Sequence, residues 1–521
     1  MFHVKHSGRD VLLGVDVGTS GLKALLIDSR GRLLGSALAT YPLKIPRPGW
    51  AEQDPEAWWW GCAQAIGKLL KQAKMTPSRI AGVGLTGQMH GSVFLDRRGK
   101  VLMPALLWCD QRTSRECGEI TARMGGARSL LRLTMNPALT GFTAPKVLWV
   151  RRHASAVYRN CAKLLLPKDY VGFRLTGRYS ADVSDASGTL LFDVARRVWS
   201  GQVIKALGIP REWLPEVRES CEIAGKVSRE GARATGLLEG TPVVAGAGDQ
   251  AAGAIGCGVV EPGIVSCALG TSGVVFAACN LPRKIPDGSL HLFCSAVRGG
   301  WHMMGVMLSA GGSFRWLRDE MASLGIKVLR GEDPYQAMTA VASRVAAGSE
   351  GLVFLPYLTG ERTPHADPSA RGAFAGLSLR HGPAHLVRAV MEGVAYGMRD
   401  SLELMRGLGL NLNRIRLSGG GARSRLWCDI QASIYGMPSH TLVREEGPAM
   451  GAALLAGIGT QVFRDYSQAC AVGVAEKSRF DPRKEWRSSY KAGYQVYRDL
   501  YPALRPIFSM QARAEAENPG R

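Results

Sequence analysis

The sequence predicts an α/β protein with two domains of similar construction. The chain has 521 residues, which is enough for two large domains. The tetrapeptide Gly18-Thr19-Ser20-Gly21 recurs as Gly270-Thr271-Ser272-Gly273 near the middle of the chain, and each copy lies between two apolar runs. One copy in each half of the chain indicates a duplicated fold.

Each tetrapeptide is predicted to be the tip of a strand–turn–strand unit. Around the first copy, residues Val11 to Val15 form the incoming strand and Leu22 to Ile27 the outgoing one. Such a turn presents backbone N–H groups and short hydroxyls on one side, and this arrangement binds anions such as phosphates. The two turns are therefore predicted to hold one polyphosphate from opposite sides. The residues assigned to them are Gly18, Thr19, Ser20, Gly270, Thr271 and Ser272.

The composition is that of an ordinary globular protein from a reducing compartment. It is 46% hydrophobic and 21% charged, and its 11 cysteines are scattered without a Cys-x-x-Cys motif. The first residues lack the apolar core of a signal peptide, and Gly, Ser and Thr interrupt the uncharged stretch 263–279. The sequence therefore predicts a cytoplasmic protein without a membrane partner. The net charge of +22 is dispersed rather than gathered in blocks, so no nucleic-acid partner is predicted.

The first half of the chain carries a candidate substrate-facing segment. Asp54-Pro55-Glu56 predicts the start of a helix, and a strand over 80–85 follows it. Residues 82–87 fit the G-x-G-x-x-G pattern, but these glycines lie in a strand and another strand follows, so a dinucleotide site is not predicted. Gln88, Met89 and His90 come at the strand end, where an amide and an imidazole can hydrogen-bond neutral hydroxyls. The alternative for His90 is an ordinary loop histidine.

Asp249 is the strongest candidate for a catalytic group. A buried strand, Pro242 to Ala245, leads into a glycine-rich turn, and a small-residue helix starts at Asp249. No acidic residue lies between Glu261 and Asp287, where a dinucleotide ribose would need one, and the Asp249 charge would repel a pyrophosphate. A rigid carboxylate at a helix N-terminus, kept ionised by the helix dipole, suits a general base. A plain helix cap is the equally weighted alternative.

The second half of the chain adds two glycine-rich turns and a tail. The run Ala310-Gly311-Gly312-Ser313 is predicted to start a helix whose tip approaches a nucleotide. The run Gly419-Gly420-Gly421 follows a strand and begins a helix that ends at Tyr435, which allows a ligand to touch the backbone, although a crowded strand-to-helix turn is the alternative. In the tail, aromatic residues recur on one predicted helix face that docks on the body, and residues 511–521 are predicted to be disordered. These aromatic residues are Trp486, Tyr490, Tyr494, Tyr497 and Tyr501.

Taken together, these motifs resemble the FGGY carbohydrate kinases over nearly the whole chain, from about Leu12 to Ala503. The segments that carry the resemblance are 14–21, 87–91 (Gly-Gln-Met-His-Gly), 141–150 (Gly-Phe-Thr-Ala-Pro-Lys-Val-Leu-Trp-Val), 166–170 (Leu-Pro-Lys-Asp-Tyr), 355–365 (Leu-Pro-Tyr-Leu-Thr-Gly-Glu-Arg-Thr-Pro-His) and 419–424 (Gly-Gly-Gly-Ala-Arg-Ser). The resemblance implies two actin-like, ribonuclease-H-like domains with the active site in the cleft between them. It places the first domain at 1–255, the second at 256–462 and a helical tail at 463–521.

The resemblance also implies roles for single residues. Asp249 corresponds to the catalytic base, and Asp16 to a carboxylate near Mg²⁺ and the phosphates of ATP. Met89 and His90 match the sugar-binding pair, beside Gln88 and Gln250. The implied nucleotide contacts are Lys23, Gly311, Gly420, Gly421 and Ser424.

The implied reaction is transfer of the ATP γ-phosphoryl group to a primary hydroxyl of D-xylulose. Gln250 departs from the members of the family that act on D-xylulose, which carry Asn there, and matches those that act on glycerol. The glycerol members, however, have Arg and Glu in place of Met89 and His90. Ribulose, gluconate or glycerol as the substrate, and an actin-like ATPase without a sugar, are the alternatives. A homodimer is left open.

Overall fold

The computed structural model describes residues 9–326, 333–444 and 446–517, and the first of its two α/β units precedes residue 257. The strands of this unit are β1 (Val11–Val17), β2 (Gly21–Asp28), β3 (Leu33–Thr40), β4 (Glu52–Gln53), β5 (Ile80–Gly87), β6 (Val93–Leu95), β7 (Ala105–Leu106), β8 (Lys163–Leu165), β9 (Ser180–Asp182), β10 (Phe192–Asp193), β11 (Val198–Trp199), β12 (Glu216–Arg218), β13 (Ile223–Lys226), β14 (Pro242–Val244) and β15 (Ala247–Gly248). Its helices are α1 (Pro55–Gln72), α2 (Ser114–Arg123), α3 (Ala127–Thr134), α4 (Thr143–His153), α5 (Ser155–Asn160), α6 (Pro167–Thr176), α7 (Val183–Ala186), α8 (Gly201–Leu207), α9 (Arg229–Thr235) and α10 (Asp249–Gly256).

The second unit and the tail follow residue 263. Their strands are β16 (Ile264–Leu269), β17 (Gly273–Cys279), β18 (His291–Cys294), β19 (Trp301–Met307), β20 (Val353–Leu355), β21 (Ala373–Ala375), β22 (Arg414–Ser418), β23 (Ser439–Leu442) and β24 (Glu476–Phe480). Their helices are α11 (Gly311–Ser323), α12 (Pro334–Ala342), α13 (Pro383–Gly407), α14 (Arg425–Tyr435), α15 (Gly447–Gly459), α16 (Tyr466–Gly473) and α17 (Arg487–Glu517).

The main sheets of the two units have the same topology. The first runs in the order β13-β14-β5-β1-β2-β3, with β1 antiparallel to β2 and β2 to β3, while β5 and β14 continue in parallel from β1. The second runs β18-β19-β17-β16-β22-β23-β24, with β16, β17 and β19 antiparallel and β22 and β23 parallel. The predicted duplication of an α/β fold, with a strand–turn–strand unit at the start of each copy, is confirmed.

Two helices rich in small residues join the units. Helices α10 and α15 cross so closely that a Cβ on Gly451 would lie 1.8 Å from the carbonyl oxygen of Ala252. Helix α15 also packs across the first sheet, where a Cβ on Gly84 would lie 1.8 Å from the carbonyl oxygen of Ala452. The glycines of β5 that imitate a dinucleotide motif therefore serve helix–sheet contact, and α10 is held rigidly between the units.

Helix α1 begins as the sequence predicts. The Asp54 carboxylate accepts a hydrogen bond from the backbone N–H of Glu56, and Pro55 is the first helical residue. Among the described residues, no helix is both long enough and apolar enough to cross a bilayer. The uncharged stretch at 263–279 forms strands β16 and β17 instead.

The tail docks on the body through the tyrosines of its predicted aromatic face. Tyr490, Tyr494, Tyr497 and Tyr501 of α17 are buried. Trp486, predicted on the same helix face, lies instead in a short 3-10 turn before α17 and is half-buried. Tyr494 donates a hydrogen bond to the Asp400 carboxylate at 2.7 Å. The helix continues to Glu517, so residues 511–517 are helical where the sequence predicts disorder, and residues 518–521 lie outside the described residues.

Candidate active site

The first Gly-Thr-Ser-Gly turn is fixed by side chains from distant parts of the first unit. The Thr19 hydroxyl donates a hydrogen bond to Gln88 Oε1 at 3.1 Å, and the Trp108 indole N–H donates to the same hydroxyl at 3.0 Å. The Gln53 amide donates to the Thr19 carbonyl at 2.6 Å and accepts from the Gln88 amide at 3.0 Å. Both ends of the buried Gln88 amide are therefore used to support the turn. This leaves Met89 and His90 as the members of the predicted trio that can face a substrate.

The second turn is joined to the start of helix α11. The backbone N–H of Gly311 donates to the carbonyl of Gly270 at 2.8 Å, and that of Gly312 donates to Thr271 at 2.9 Å. A Cβ on Gly311 would lie 2.4 Å from the Gly270 carbonyl oxygen. The glycine is therefore required for the turn and the helix N-terminus to meet.

A cavity of about 750 Å³ opens beside this junction. The predicted nucleotide residues that line it are Gly270, Thr271, Gly311, Gly420, Gly421 and Ser424. The other predicted nucleotide residues do not line it: Gly18, Thr19, Ser20, Lys23 and Ser272. The aromatic side chains of Phe314, Tyr335 and Trp427 also line the cavity, and sequence reasoning missed them because isolated aromatic residues on helices usually belong to a core.

Asp16 and Lys23 are opposite each other on strands β1 and β2. Lys23 forms an ion pair with Glu446, just before helix α15, so the predicted phosphate lysine already has a carboxylate partner from the second unit. Asp16 Oδ1 is buried and has no hydrogen-bonding partner in the described parts of the chain. Burial and the nearby Asp249 charge raise the pKa of Asp16 to about 7, and Lys23 opposes this shift.

Asp249 is the first residue of helix α10, and Gly248 occupies the cap position. Burial raises the pKa of Asp249 to about 6, while hydrogen bonds from the backbone and side chain of Gln250 oppose the shift. The carboxyl group lines a second cavity, of about 300 Å³, together with Gln250 and Gly270. Since Gly270 also lines the larger cavity, the cavity that Asp249 lines adjoins the one at the second turn.

Met89 and His90 form a wall beside Asp249. A Cβ on Gly248 would lie 2.8 Å from Met89 Cγ, so this side chain packs against the residue that precedes Asp249. His90 Nδ1 lies 2.7 Å from the carbonyl oxygen of Gly188. Because a carbonyl only accepts, Nδ1 carries the proton and Nε2 keeps a lone pair. Burial lowers the pKa of His90 to about 3, so the ring is neutral. It can accept a hydrogen bond from a hydroxyl.

A buried charged cluster lies behind Asp249, and local sequence patterns gave no signal for it. Lys168 Nζ lies 2.5 Å from Asp169 Oδ1, 2.9 Å from Asp182 Oδ1 and 3.7 Å from Asp185 Oδ2. Asp182 accepts a hydrogen bond from the Ser184 hydroxyl at 2.6 Å, and the backbone N–H of Gly248 donates to that hydroxyl at 3.1 Å. This chain of contacts fixes the backbone immediately before Asp249.

Known proteins share this fold over almost the whole chain. The model for the N-terminal domain of the FGGY family of carbohydrate kinases matches residues 11–256, and the model for its C-terminal domain matches residues 265–460. The xylulose kinase of Escherichia coli (strain K12) is 38% identical over 498 residues, which are 95% of this chain and 100% of that protein.

Two solved structures are also similar to this chain over almost its whole length. The xylulose kinase from Rhodospirillum rubrum has a TM-score of 0.89 and 31% identity, and the match covers 96% of this chain and 100% of that one. The gluconate kinase from Lactobacillus acidophilus has a TM-score of 0.89 and 26% identity, with 96% and 99% covered. The chain belongs to the FGGY family of carbohydrate kinases, as its motifs predict.

Proposed function

We propose that this kinase transfers the γ-phosphoryl group of ATP to the C5 hydroxyl of D-xylulose, with Asp249 as the general base. The observation that carries the proposal is the position of Asp249, which lines a cavity next to the predicted nucleotide cavity and follows Gly248, against which Met89 packs. The family supports a sugar and ATP as substrates, and the relatives named xylulose kinase support the choice of sugar. A protein that works on these metabolites is expected in the cytoplasm.

The chemistry requires a carboxylate at this point. An alcohol is a weak nucleophile, so its proton must pass to a base as the hydroxyl oxygen attacks phosphorus. Asp249 Oδ accepts that proton, while the two Gly-Thr-Ser-Gly turns offer backbone N–H groups to the phosphate oxygens. Closure of the two units around both substrates excludes water, which would otherwise compete as the acceptor.

The carboxylate of Asp16 fits a role near Mg²⁺. Its buried Oδ1 lacks a hydrogen-bonding partner, and Mg²⁺ prefers such oxygen ligands. Among the described residues, no group of three or more His, Cys, Asp or Glu side chains could hold a metal by itself. This suits an ion that binds with the nucleotide and keeps several waters. When bound, Mg²⁺ neutralises charge on the phosphates.

Asp16→Asn is expected to raise the Mg²⁺ concentration for half-maximal activity by about tenfold to a hundredfold, because the amide keeps the shape of the side chain but loses its charge. The measurement is the initial rate against free Mg²⁺ at fixed ATP. Asp28→Asn is the matched control, since Asp28 lies at the far end of β2, where it pairs with Arg32. An unchanged Mg²⁺ requirement would remove Asp16 from the metal site.

His90→Asn is expected to raise the KM for the sugar by about tenfold to a hundredfold through the loss of the Nε2 acceptor. Asparagine is chosen because the backbone of His90 is left-handed, with φ of 68°, which asparagine tolerates. The KM for ATP should stay within about twofold. His153→Asn, at an exposed histidine, is the control. An effect confined to ATP would place the sugar elsewhere.

An ADP-coupled assay across D-xylulose, D-ribulose, D-gluconate and glycerol tests the proposed function. The highest kcat/KM is expected for D-xylulose, with the phosphate on C5 by NMR. D-gluconate is the second candidate, because a gluconate kinase is as similar in structure as a xylulose kinase by TM-score. ADP release that no sugar stimulates would contradict the proposal and favour an ATPase.

A further inference from the structure

Arg362 carries a half-buried guanidinium for which the described residues supply no hydrogen-bonding or ion-pair partner. Its backbone N–H donates to Glu361, but its guanidinium makes no hydrogen bond or ion pair within residues 9–326, 333–444 and 446–517. Burial lowers the pKa of Arg362, and the Glu361 charge only partly opposes this. Burying an unpaired charge is unfavourable, so the structure retains an unfavourable group here. Such a group points to a ligand.

The loop that carries Arg362 is fixed to the second unit. The Thr363 N–H donates to the carbonyl of Val306 on β19 at 3.0 Å, and the Thr363 hydroxyl accepts from the Val306 N–H at 3.1 Å. Glu361 Oε1 accepts from the backbone N–H of Leu308 at 3.0 Å. Since the residues on both sides of Arg362 are tied to this strand and its end, the position of the Arg362 backbone is set by the fold.

This part of the second unit covers the predicted sugar wall of the first. In antiparallel pairs, opposed residues share one face of the sheet, and Val306 is opposite Val274 while Met304 is opposite Phe276 and His291. Met304 belongs to one apolar cluster with Met89 and Phe142 of the first unit, and Val274 and Val306 pack against that cluster. The shared face is therefore turned toward Met89.

Two histidines, His90 and His291, indicate the position of the Arg362 guanidinium. The Phe142 ring stacks on His90 at 4.6 Å between centroids and is 5.8 Å from the His291 ring. The Arg362 charge contributes to the low pKa of both histidines. By contrast, the charges that act on the pKa of Asp16 come from Asp249 and Lys23. The guanidinium thus lies toward the His90 end of the site rather than the phosphoryl-transfer end.

The chemistry of the proposed substrate supplies a partner for this cation. A 2-ketopentose closes its furanose ring through the C5 oxygen, so a molecule phosphorylated at that oxygen must bind in the open-chain form with a free C2 ketone. A ketone oxygen only accepts hydrogen bonds, and a guanidinium only donates them. Asp249 takes the C5 end of the molecule, and the C1–C2 end then extends along the wall formed by Met89 and His90.

We propose that Arg362 donates hydrogen bonds to the carbonyl oxygen of the bound sugar and so selects ketoses over the corresponding polyols. The inference rests on the proposed function. The group that Arg362 would recognise is an oxygen that only accepts hydrogen bonds. The carboxylate of an aldonate such as gluconate also offers such oxygens. A site built to donate to such an oxygen discriminates against an analogue that offers a hydroxyl at the same place.

Arg362→Met tests the inference by equilibrium binding without ATP, measured by calorimetry with D-xylulose and with xylitol, its reduced form. The Kd for D-xylulose is expected to rise about tenfold to a hundredfold, while the Kd for xylitol changes less than about threefold. Arg362→Lys, which keeps the charge, should retain part of the preference for D-xylulose over xylitol. Because an unpaired cation is removed, the Tm should not fall. Arg371→Met is the control, since Arg371 pairs with Glu515 on the exterior.

Equal weakening of both ligands, or a lowered Tm, would show that Arg362 supports the fold and would overturn the inference, as would an unchanged Kd for D-xylulose. Binding of D-gluconate and D-glucitol forms a second arm of the test. If Arg362→Met weakens D-gluconate selectively and leaves D-xylulose unaffected, the recognised oxygen is a carboxylate, and the ketose assignment is overturned together with the proposed substrate. If the coupled assay finds no phosphorylated sugar, the proposed function fails, but the contrast in Kd still decides the role of Arg362.

Discussion

Asp249→Asn is expected to lower kcat for the sugar by about two to four orders of magnitude, the range typical of a lost general base. Asparagine keeps the size of the side chain at the start of helix α10 but cannot take a proton from the attacking hydroxyl. Asp249 is half-buried and lines the smaller cavity, and the residue before it, Gly248, packs against Met89. The KM for ATP should stay within about threefold.

The Tm of the variant distinguishes the loss of the catalytic carboxyl group from misfolding. Burial raises the pKa of Asp249 to about 6, above its unfolded value, so the ionised carboxyl group destabilises the native state at neutral pH. The amide that replaces the carboxyl group carries no charge, and the Tm of the variant should therefore be equal to or above that of the parent at pH 8. Asp54→Asn is the matched control, because Asp54 also lies at a helix start but only caps α1. Near-normal turnover in the Asp249 variant would leave this residue as a helix terminus alone.

The pH dependence of the parent enzyme provides a further check of the same assignment. The base must be ionised, so kcat/KM for the sugar should fall below a pH near 6 as Asp249 takes up its proton. Asp16, with a pKa raised to about 7, interacts with Asp249, and the acid limb therefore belongs to the pair. In Asp249→Asn, Asp16 titrates without the Asp249 charge that raises its pKa, so the acid limb of the residual activity should shift to lower pH.

The elements that local patterns encode could be predicted from the sequence. Apolar runs around a glycine-rich turn give β1 and β2 as well as β16 and β17, and the strand–turn–helix pattern places Asp249 at the start of α10. The tyrosines of α17 recur on one helical face, which is why their docking could be predicted. In each case the signal lies within a few residues of the feature.

The contacts that fix the candidate active site join residues that are distant in sequence. Gln88 reads as a substrate-facing amide at a strand end, but its partners Gln53 and Thr19 are 35 and 69 positions away in sequence. Lys23 reads as a phosphate lysine, and its partner Glu446 belongs to the second unit. No local spacing encodes such pairs, because they arise only when distant parts of the chain pack against each other.

Lys168→Met is expected to destabilise the first unit by about 3–5 kcal/mol, because it removes the cation from a cluster of buried carboxylates. In the parent protein, Lys168 Nζ lies 2.5 Å from Asp169 Oδ1 and 2.9 Å from Asp182 Oδ1. Burial already raises the pKa of Asp169 to about 6 and that of Asp185 well above its usual range, and the Lys168 charge opposes both shifts. Without Lys168, these carboxyl groups must bind protons or stay buried as unpaired anions.

The raised pKa values of these carboxyl groups determine how the stability of the variant changes with pH. In the variant, the native state binds more protons than the unfolded state over the range between the unfolded and the raised native pKa values, so its stability falls as pH rises. Urea midpoints and Tm values at pH 6 and pH 8 should therefore differ from the parent more at pH 8. Lys163→Met is the matched control, since Lys163 contacts the carbonyl of Glu212 and the ring of Tyr179 near the surface and no buried carboxylate is described beside it. Turnover of the surviving folded fraction should also drop, because Asp182 and Ser184 hold the backbone before Asp249. A loss of stability below about 1 kcal/mol at both pH values would mean that the carboxyl groups around Lys168 are already protonated in the native protein.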